Sequence, residues 1–371
     1  MPVTYGPPCS TIGPSSIRLG YACGCGSEMP KVVVIEGEDA APEAVRPTVA
    51  VLDGLGLDLE WVHPAVEDRD ATRRAIDESA TTLFGATSGP SAWALFYLRW
   101  GKGTYANVRP TRWQPGFRSA LARPQGIDFV IVRENLEDLY VGVEGDLEAL
   151  RPAGLHSPTL RRPVADLGPG RFAVKVITEA GATRVVRFAF ELARRRKAAG
   201  HRGRVTCATK HNMLPQSDGL FREVALAVAR DHPDIGFDTF LVDDFARRLV
   251  ADPHGLDVVV MPNLYGDILS DAAAGLVGGL GLAPSGCYGD GYAYFESVHG
   301  TAPDIAGQNV INPTATLLSA VMMLDYLGYR AVARRLDAAV ASVYAAGAPL
   351  TPDQGGTATT TAFCEAVAEH L

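Results

Sequence analysis

Long hydrophobic runs, cysteine and excess positive charge are all in short supply in this chain, and each shortage removes a class of function. No apolar stretch reaches the roughly 18–20 residues needed to cross a bilayer, so no membrane role is expected. The six cysteines (Cys9, Cys23, Cys25, Cys207, Cys287, Cys364) are too few and too scattered for a disulfide framework. Cys23 and Cys25 form one close pair, with no second pair or nearby His to complete a metal site. Lys and Arg number 34 against 42 Asp and Glu, and the net charge of −8 speaks against nucleic acid as a partner. The densest basic cluster, Arg194, Arg195, Arg196 and Lys197, ends a helix-like stretch and reads as a solvated last turn offsetting the helix dipole. A Gly-x-Gly-x-x-Gly fingerprint is missing after the first strand, which excludes a standard Rossmann nucleotide site. Residues 1–30, rich in Pro, Gly and Ser, hold no apolar segment of the secretory kind. They read as a flexible leader, and the expected location is cytoplasmic.

What is present is an ordinary globular composition, 47% hydrophobic and 20% charged over 371 residues, enough for two domains. Apolar runs at 31–37, 80–86, 126–135 and 256–267 read as strands. "PEAVRPTVAVLDGLG" has helical spacing stopped by glycines, with Pro47 required to lie in its first turns. "SAWALFYLRW" (91–100) is helical in spacing up to Gly101, and "TRVVRFAFELARRRKAAG" is an amphipathic helix closed by glycine. Strands alternating with helices imply an α/β fold. "AAAGLVGGLGLAPS" (272–285) is too rich in glycine for a helix throughout and reads as a tight packing segment joining two units.

Polar residues just after strand ends are where such folds place their sites. Asp267 and Asp271 in "NLYGDILSD" share one helix face and could chelate a hard cation, with Asp243 and Asp244 after an apolar run upstream. Alone, such a pair is more often a solvated face, but this one follows a strand end, with an Asn and a Gly beside it. Carboxylate ligands favour Mg or Mn over zinc. Arg99, Arg109 and Arg133 sit beside turns or strand ends and suit substrate carboxylates, although any single one is as well explained by a surface ion pair. Tyr140 and Lys210 offer proton chemistry, since a Lys among cations has its pKa lowered toward a useful range. His211 reads as structural. "ESVHGTAPDIAGQNVINP" (296–313) is an irregular loop presenting a His and an Asp to a nucleotide. Asp304 beside a ribose would accept from the 2′-hydroxyl and repel a 2′-phosphate, favouring NAD over NADP.

"YLRWGKGTYANVRPTR", "VIVRENLEDLY", "TKHNMLPQSDGLF", "NLYGDILSDAAAGLVGGLGLAPS", "SVHGTAPDIAG" and "TPDQGGTATTTAF" follow one another in this order. Together they resemble the isocitrate/isopropylmalate/homoisocitrate dehydrogenase family of metal-dependent β-decarboxylating dehydrogenases, from Lys31 to Leu371, with the C-terminal half most similar to the homoisocitrate branch. The resemblance implies an isopropylmalate dehydrogenase-like two-domain α/β fold. Residues 31–104 plus 277–371 would bind the cofactor, and 105–276 would carry dimerisation, metal and substrate. It implies NAD-dependent, Mg- or Mn-dependent oxidative decarboxylation of a small anionic 2-hydroxy acid by a homodimer with shared active sites, higher assembly being left open. Arg99, Arg109 and Arg133 would hold the malate carboxylates, with Leu95 and Phe96 at the substrate's variable arm. Asp267 and Asp271, with the partner's Asp243, would bind metal. Tyr140 and the partner's Lys210 would move protons. Glu296, His299, Gly300, Thr301, Ala302, Asp304 and Asn312 would line the adenosine half of the cofactor site.

Several residues depart from the family pattern. Asp39 and Ala41 stand where the turn after the first strand usually has glycine, and Asp138 replaces a usual glycine just before Tyr140. Those glycines permit positive φ, so the departures put the local geometry in question. Trp93, Leu95 and Phe96 stand where isocitrate and homoisocitrate enzymes present polar or cationic side chains to a distal carboxylate. An apolar arm, or none as in malate or tartrate, suits these residues better, because an unpaired buried carboxylate costs several kcal/mol. Ser91 and the "TSGPS" turn offer another anion-binding arrangement. A specialised 3-substituted malate and a catalytically silent regulatory subunit stand as alternatives.

Overall fold

The computed structural model describes residues 29–371; most of the expected leader, with Cys9, Cys23 and Cys25, lies outside the described residues. In chain order the strands are β1 (Lys31–Ile35), β2 (Glu60–Val62), β3 (Thr81–Phe84), β4 (Ala106–Arg112), β5 (Asp128–Glu134), β6 (Glu144–Asp146), β7 (His156–Ser157), β8 (Arg162–Pro163), β9 (Arg171–Ala173), β10 (Arg204–Thr209), β11 (Gly236–Leu241), β12 (Val258–Met261), β13 (Pro284–Tyr288) and β14 (Ala293–Ser297). The α-helices are α1 (Ala41–Asp53), α2 (Arg69–Asp77), α3 (Ala92–Phe96), α4 (Glu179–Ala198), α5 (Ser217–Arg230), α6 (Val242–Ala251), α7 (Asn263–Val277), α8 (Thr314–Tyr326), α9 (Arg330–Ala346) and α10 (Thr360–Glu369).

One sheet runs in the order β11-β10-β12-β5-β4-β13-β14-β3-β1-β2, while β6–β9 and β7–β8 are separate ribbons. Pairing is parallel toward both edges and antiparallel only at β5–β4, β4–β13 and β13–β14. Parallel strands are covered on both faces and so need continuous apolar runs. "VVVI" in β1 and "VVVM" in β12 meet that need and are buried throughout. Alternation along β5 sends Val130 and Val132 to one face, against Val186, Phe190 and Phe221 of α4 and α5. Phe129 and Ile131 face the other side, against Phe245, Leu249 and Ala273 of α6 and α7. Separate clusters lie toward the other edge. One packs Leu52, Leu324, Val340 and Phe363 on Leu83 and Phe295. The other gathers Val33, Ile35, Phe84 and Leu98 around Cys287. Cys207, Cys287 and Cys364 are free thiols, all buried.

Some local expectations need correction. Pro47 lies inside α1, beyond the first turn where its missing N–H would cost nothing. The 91–100 stretch is α-helical only to Phe96; Tyr97–Gly101 forms a π-helical turn. Lys102 N–H there reaches back to the Tyr97 carbonyl (2.9 Å), and Thr104 N–H to that of Arg99 (3.0 Å). Gly101 is required, because a Cβ would lie 2.5 Å from the Tyr97 ring. Apolar spacing over ten residues cannot separate the two helical periods, and such wide turns are frequent at functional sites. Glycine content does end α7: the chain breaks at Gly278 and Gly279, and β13 begins at Pro284. The basic cluster is not simply solvated. Arg194 pairs with Asp234, and Arg196 is tied to Asp257 (2.6 Å) and Asp128 (3.0 Å). Its partners are distant in sequence, so the run of basic residues alone hid them.

Candidate active site

β5 lies beside β12, with Arg133 in register with Met261, so the chain leaving β12 turns into α7 directly over the Arg133 side chain. The approach is close enough that a Cβ on Gly266 would stand 2.7 Å from the Arg133 Cβ. Arg133 is 2% exposed. Its Nε donates to Asn263 Oδ1 (2.9 Å), and its Nη1 pairs with Asp267. Arg109, on the adjacent β4, donates through Nη1 to Ser270 Oγ (2.7 Å) and Asp271 Oδ1 (3.1 Å) and lies 3.3 Å from Asp267. Tyr140 donates its hydroxyl to Asp267 Oδ2 (2.7 Å), and the Arg133 guanidinium sits 5.2 Å over its ring. Asp267 is therefore a hub touching both arginines and the tyrosine.

The electrostatics follow from this packing. Burial first, then the like charge of Arg109, pushes Arg133 down to about 10. Burial works against the Asp267 carboxylate, yet Arg133, Tyr140 and Arg109 together hold it below its ordinary range. Asp271 moves up, because burial outweighs Arg109. Burial, and then the bond to Asp267, raises Tyr140, so the phenol keeps its proton. Asp267 and Asp271 offer hard oxygen donors of the type Mg or Mn takes. Among the described residues no three His, Cys, Asp or Glu side chains stand close enough together to hold an ion.

Lys210 and Asp243 stand apart from the hub. Lys210 Nζ donates to Asp243 Oδ1 (2.6 Å), and its backbone N–H to Asp218 Oδ2 (2.6 Å). Asp243 is largely exposed, and the Lys210 bond holds its carboxyl below the usual range. His211 Nδ1 lies 2.9 Å from Thr209 Oγ1.

Arg99 lies in the π-turn, with its Nε buried and lacking a hydrogen-bond partner. Burial works against its charge, but Tyr294, Glu296 and Cys287 together hold the guanidinium above its ordinary range. Trp93 packs against the cluster around Cys287, its indole donating to Val66 O (3.0 Å) with Arg69 and Arg73 of α2 over its ring. Leu95 packs toward the cluster around Cys287. Phe96 is 60% exposed and stacks on Trp100 (5.1 Å), whose indole donates to Leu136 O (3.1 Å) on the way to Tyr140. The "TSGPS" turn is not free for an anion, because Glu38 already accepts from Ser88 N–H (2.9 Å), Ser91 N–H (2.7 Å) and Thr87 Oγ1 (2.6 Å). Asp39, in place of glycine, keeps the left-handed conformation (φ 55°), and Ala41 simply opens α1.

Beyond Glu296 at the end of β14, the His299 Nδ1–H donates to Gly300 O (2.9 Å), while Nε2 is buried without a partner. Burial lowers the His299 pKa, so the ring is neutral and Nε2 is free to accept from a ligand. Thr301 O accepts from Ala40 N–H (3.0 Å), joining this loop to the turn after β1. Ala302 takes a left-handed conformation (φ 51°), and Gly300 and Asp304 are exposed. Asn312 is occupied internally, donating to Asp353 Oδ2 (2.9 Å) and Tyr344 OH (3.2 Å) and accepting from Thr314 N–H (3.0 Å). Asp353 was not singled out from the sequence, although "TPDQGG" contains it.

The family model for isocitrate/isopropylmalate dehydrogenase matches residues 31–370. The chain belongs to the isocitrate/isopropylmalate dehydrogenase family. A 3-isopropylmalate/3-methylmalate dehydrogenase of Methanocaldococcus jannaschii is 42% identical, covering 92% of this chain and 99% of that one. An isocitrate/homoisocitrate dehydrogenase of Thermus thermophilus is also 42% identical, over 92% and 98%. The crystal structure of an isocitrate dehydrogenase from Methylococcus capsulatus superposes with a TM-score of 0.80 at 34% identity, covering 92% and 99%. Members of this family are decarboxylating dehydrogenases that use a divalent metal and a nicotinamide cofactor on small hydroxy acids. Relatives named for different substrates are equally similar, so identity does not choose among them. Among the described residues no helix is long and apolar enough to cross a membrane.

Proposed function

We propose that this family member oxidises and decarboxylates a 3-substituted malate whose 3-substituent is apolar or absent, using NAD and Mg or Mn. The observation that carries the reaction class is the Asp267 hub, which gathers two substrate-type arginines, a protonated tyrosine and a second helix carboxylate. Asp267 and Asp271, with the partner's Asp243, would hold the metal. His299 and Asp304 would engage the nucleotide, and the exposed Asp304 carboxylate favours NAD over NADP. When bound, the metal would supply Lewis-acid polarisation of the substrate oxygen and the nicotinamide a hydride acceptor. Arg99, Arg109 and Arg133 orient the carboxylates. The partner's Lys210 would accept the hydroxyl proton, and Tyr140, kept protonated, would deliver one to the carbon left by the departing carboxylate.

The exposed Lys210–Asp243 pair supports a homodimer that shares its sites. Apolar clusters drawn mainly from one stretch or the other support a division into 31–104 plus 277–371 and 105–276. The Phe96–Trp100 stack supports the apolar arm. The test is NADH formation with Mg or Mn on isopropylmalate, isocitrate, homoisocitrate, D-malate and tartrate. Preference for isopropylmalate or D-malate, with metal and NAD both required, is expected. Preference for isocitrate or homoisocitrate would overturn the substrate reading. Silence on all, with NAD and metal still bound, would favour a regulatory subunit.

A further inference from the structure

Asp138 is fully buried and holds φ 71° and ψ −139°, a conformation that L side chains rarely adopt. Such strain persists only where the surroundings over-determine it, and here two segments, Lys175–Val176 and the start of α7, converge on the residue. Its backbone pairs with Val176 in both directions (2.8 and 3.2 Å). Its Oδ2 accepts the N–H of Leu264 (3.0 Å) in the first turn of α7, a helix whose own N-cap, Pro262, supplies no side-chain acceptor. Its Oδ1 lies 3.2 Å from Lys175 Nζ, and Lys175 also pairs with the buried Asp218 (2.7 Å). Asp218 in turn accepts the backbone N–H of Lys210. Lys175 further lies 4.5 Å over the ring of Tyr265 on α7.

We propose that Asp138 is a positioning residue: its carboxylate, acting through Lys175 and Asp218, locks together the Tyr140 loop, the start of the Asp267–Asp271 helix and the Lys210 turn. A glycine at this position could adopt the backbone conformation but could supply neither contact, so side-chain chemistry explains why strain is retained. The inference rests on the dehydrogenase reading for its catalytic consequence, but not for its structural one.

The test compares Asp138→Gly and Asp138→Asn with the wild-type chain. Glycine relieves the strain and removes both contacts, whereas asparagine keeps an acceptor for Leu264 and loses the charge facing Lys175. Hydrogen–deuterium exchange of the first turn of α7 and of residues 136–142 is expected to quicken about tenfold in Asp138→Gly and less in Asp138→Asn. Mn affinity, followed by electron paramagnetic resonance, and kcat on the preferred acid are each expected to fall about tenfold in Asp138→Gly, with KM and melting temperature little changed, and to recover partly in Asp138→Asn. Wild-type exchange in Asp138→Gly would overturn the proposal. So would a kcat loss that merely tracks a fall in melting temperature without recovery in Asp138→Asn. If the wild-type chain turns over no malate-type acid, the dehydrogenase reading fails while the exchange measurement still decides this one.

Discussion

Glu134 follows Arg133 at the end of β5 and is 1% exposed. Its carboxylate accepts the N–H groups of Leu136 and Glu137 (2.9 Å each), closing the turn that leads to Tyr140. Burial, which outweighs those two bonds, pushes its pKa from the ordinary 4.5 to about 7. The sign follows from proton counting. Between these values the folded chain keeps a proton that the unfolded chain has released, so stability falls as pH rises and the full loss is reached above the folded pKa. At about 1.4 kcal/mol for each tenfold change in proton affinity, ionised Glu134 costs about 3 kcal/mol above pH 7. Glu134→Gln cannot ionise. It carries a fixed penalty, because one amide N–H faces a backbone N–H, but that penalty does not vary with pH. Urea unfolding of both proteins, followed by tryptophan fluorescence at intervals from pH 5 to pH 8, isolates the effect, since every other titrating group is common to both. The wild-type stability, measured relative to the variant, should drop by most of about 3 kcal/mol across that range. A difference that stays flat, or rises with pH, would refute the reasoning.

Other perturbations give separate readouts. Tyr140→Phe removes the proposed proton donor and should lower kcat about 100-fold or more with KM little changed, measured as NADH formation on the preferred acid. Asp304→Lys should weaken NAD binding about tenfold by calorimetry and narrow its preference over NADP; unchanged affinity would remove the ribose contact. Gly37→Ala should destabilise the fold by about 3 kcal/mol or more in urea titration, because φ is 78° and the new Cβ would lie 2.1 Å from the Ala86 carbonyl oxygen. Asp257→Ala leaves Arg196 and the N–H groups of Gly203 and Arg204 without their buried acceptor, and should cost about 3–5 kcal/mol by the same assay.

The strands were the most legible feature, because burial on both faces forces an unbroken apolar run such as "KVVVI" or "DFVIV". The Arg109–Arg133–Tyr140–Asp267 group was legible as separate motifs, each after a strand or turn, although nothing local announced that one carboxylate would join them. Residues whose roles depend on distant partners were harder. The Asn312 amide is engaged by Asp353 and Tyr344, partners 41 and 32 residues away that the loop motif does not announce. Trp93 gives its indole N–H to the Val66 carbonyl, a partner that helical spacing over 91–100 does not reveal. Asp138 was noticed only as a missing glycine. Its meaning depends on Lys175 and Leu264, which no spacing rule connects to it.

The buried thiols carry a practical consequence. Cys207, Cys287 and Cys364 belong to three different apolar clusters, and burial pushes each up to about 12. None can react with a disulfide reagent until its own cluster opens. With Cys9, Cys23 and Cys25 replaced by serine, the three labelling rates become independent clocks, one for each region of the long sheet. Equal rates would mean that the sheet ties the whole chain into one cooperative unit. Different rates would rank its parts by the free energy of opening and identify which half loosens first.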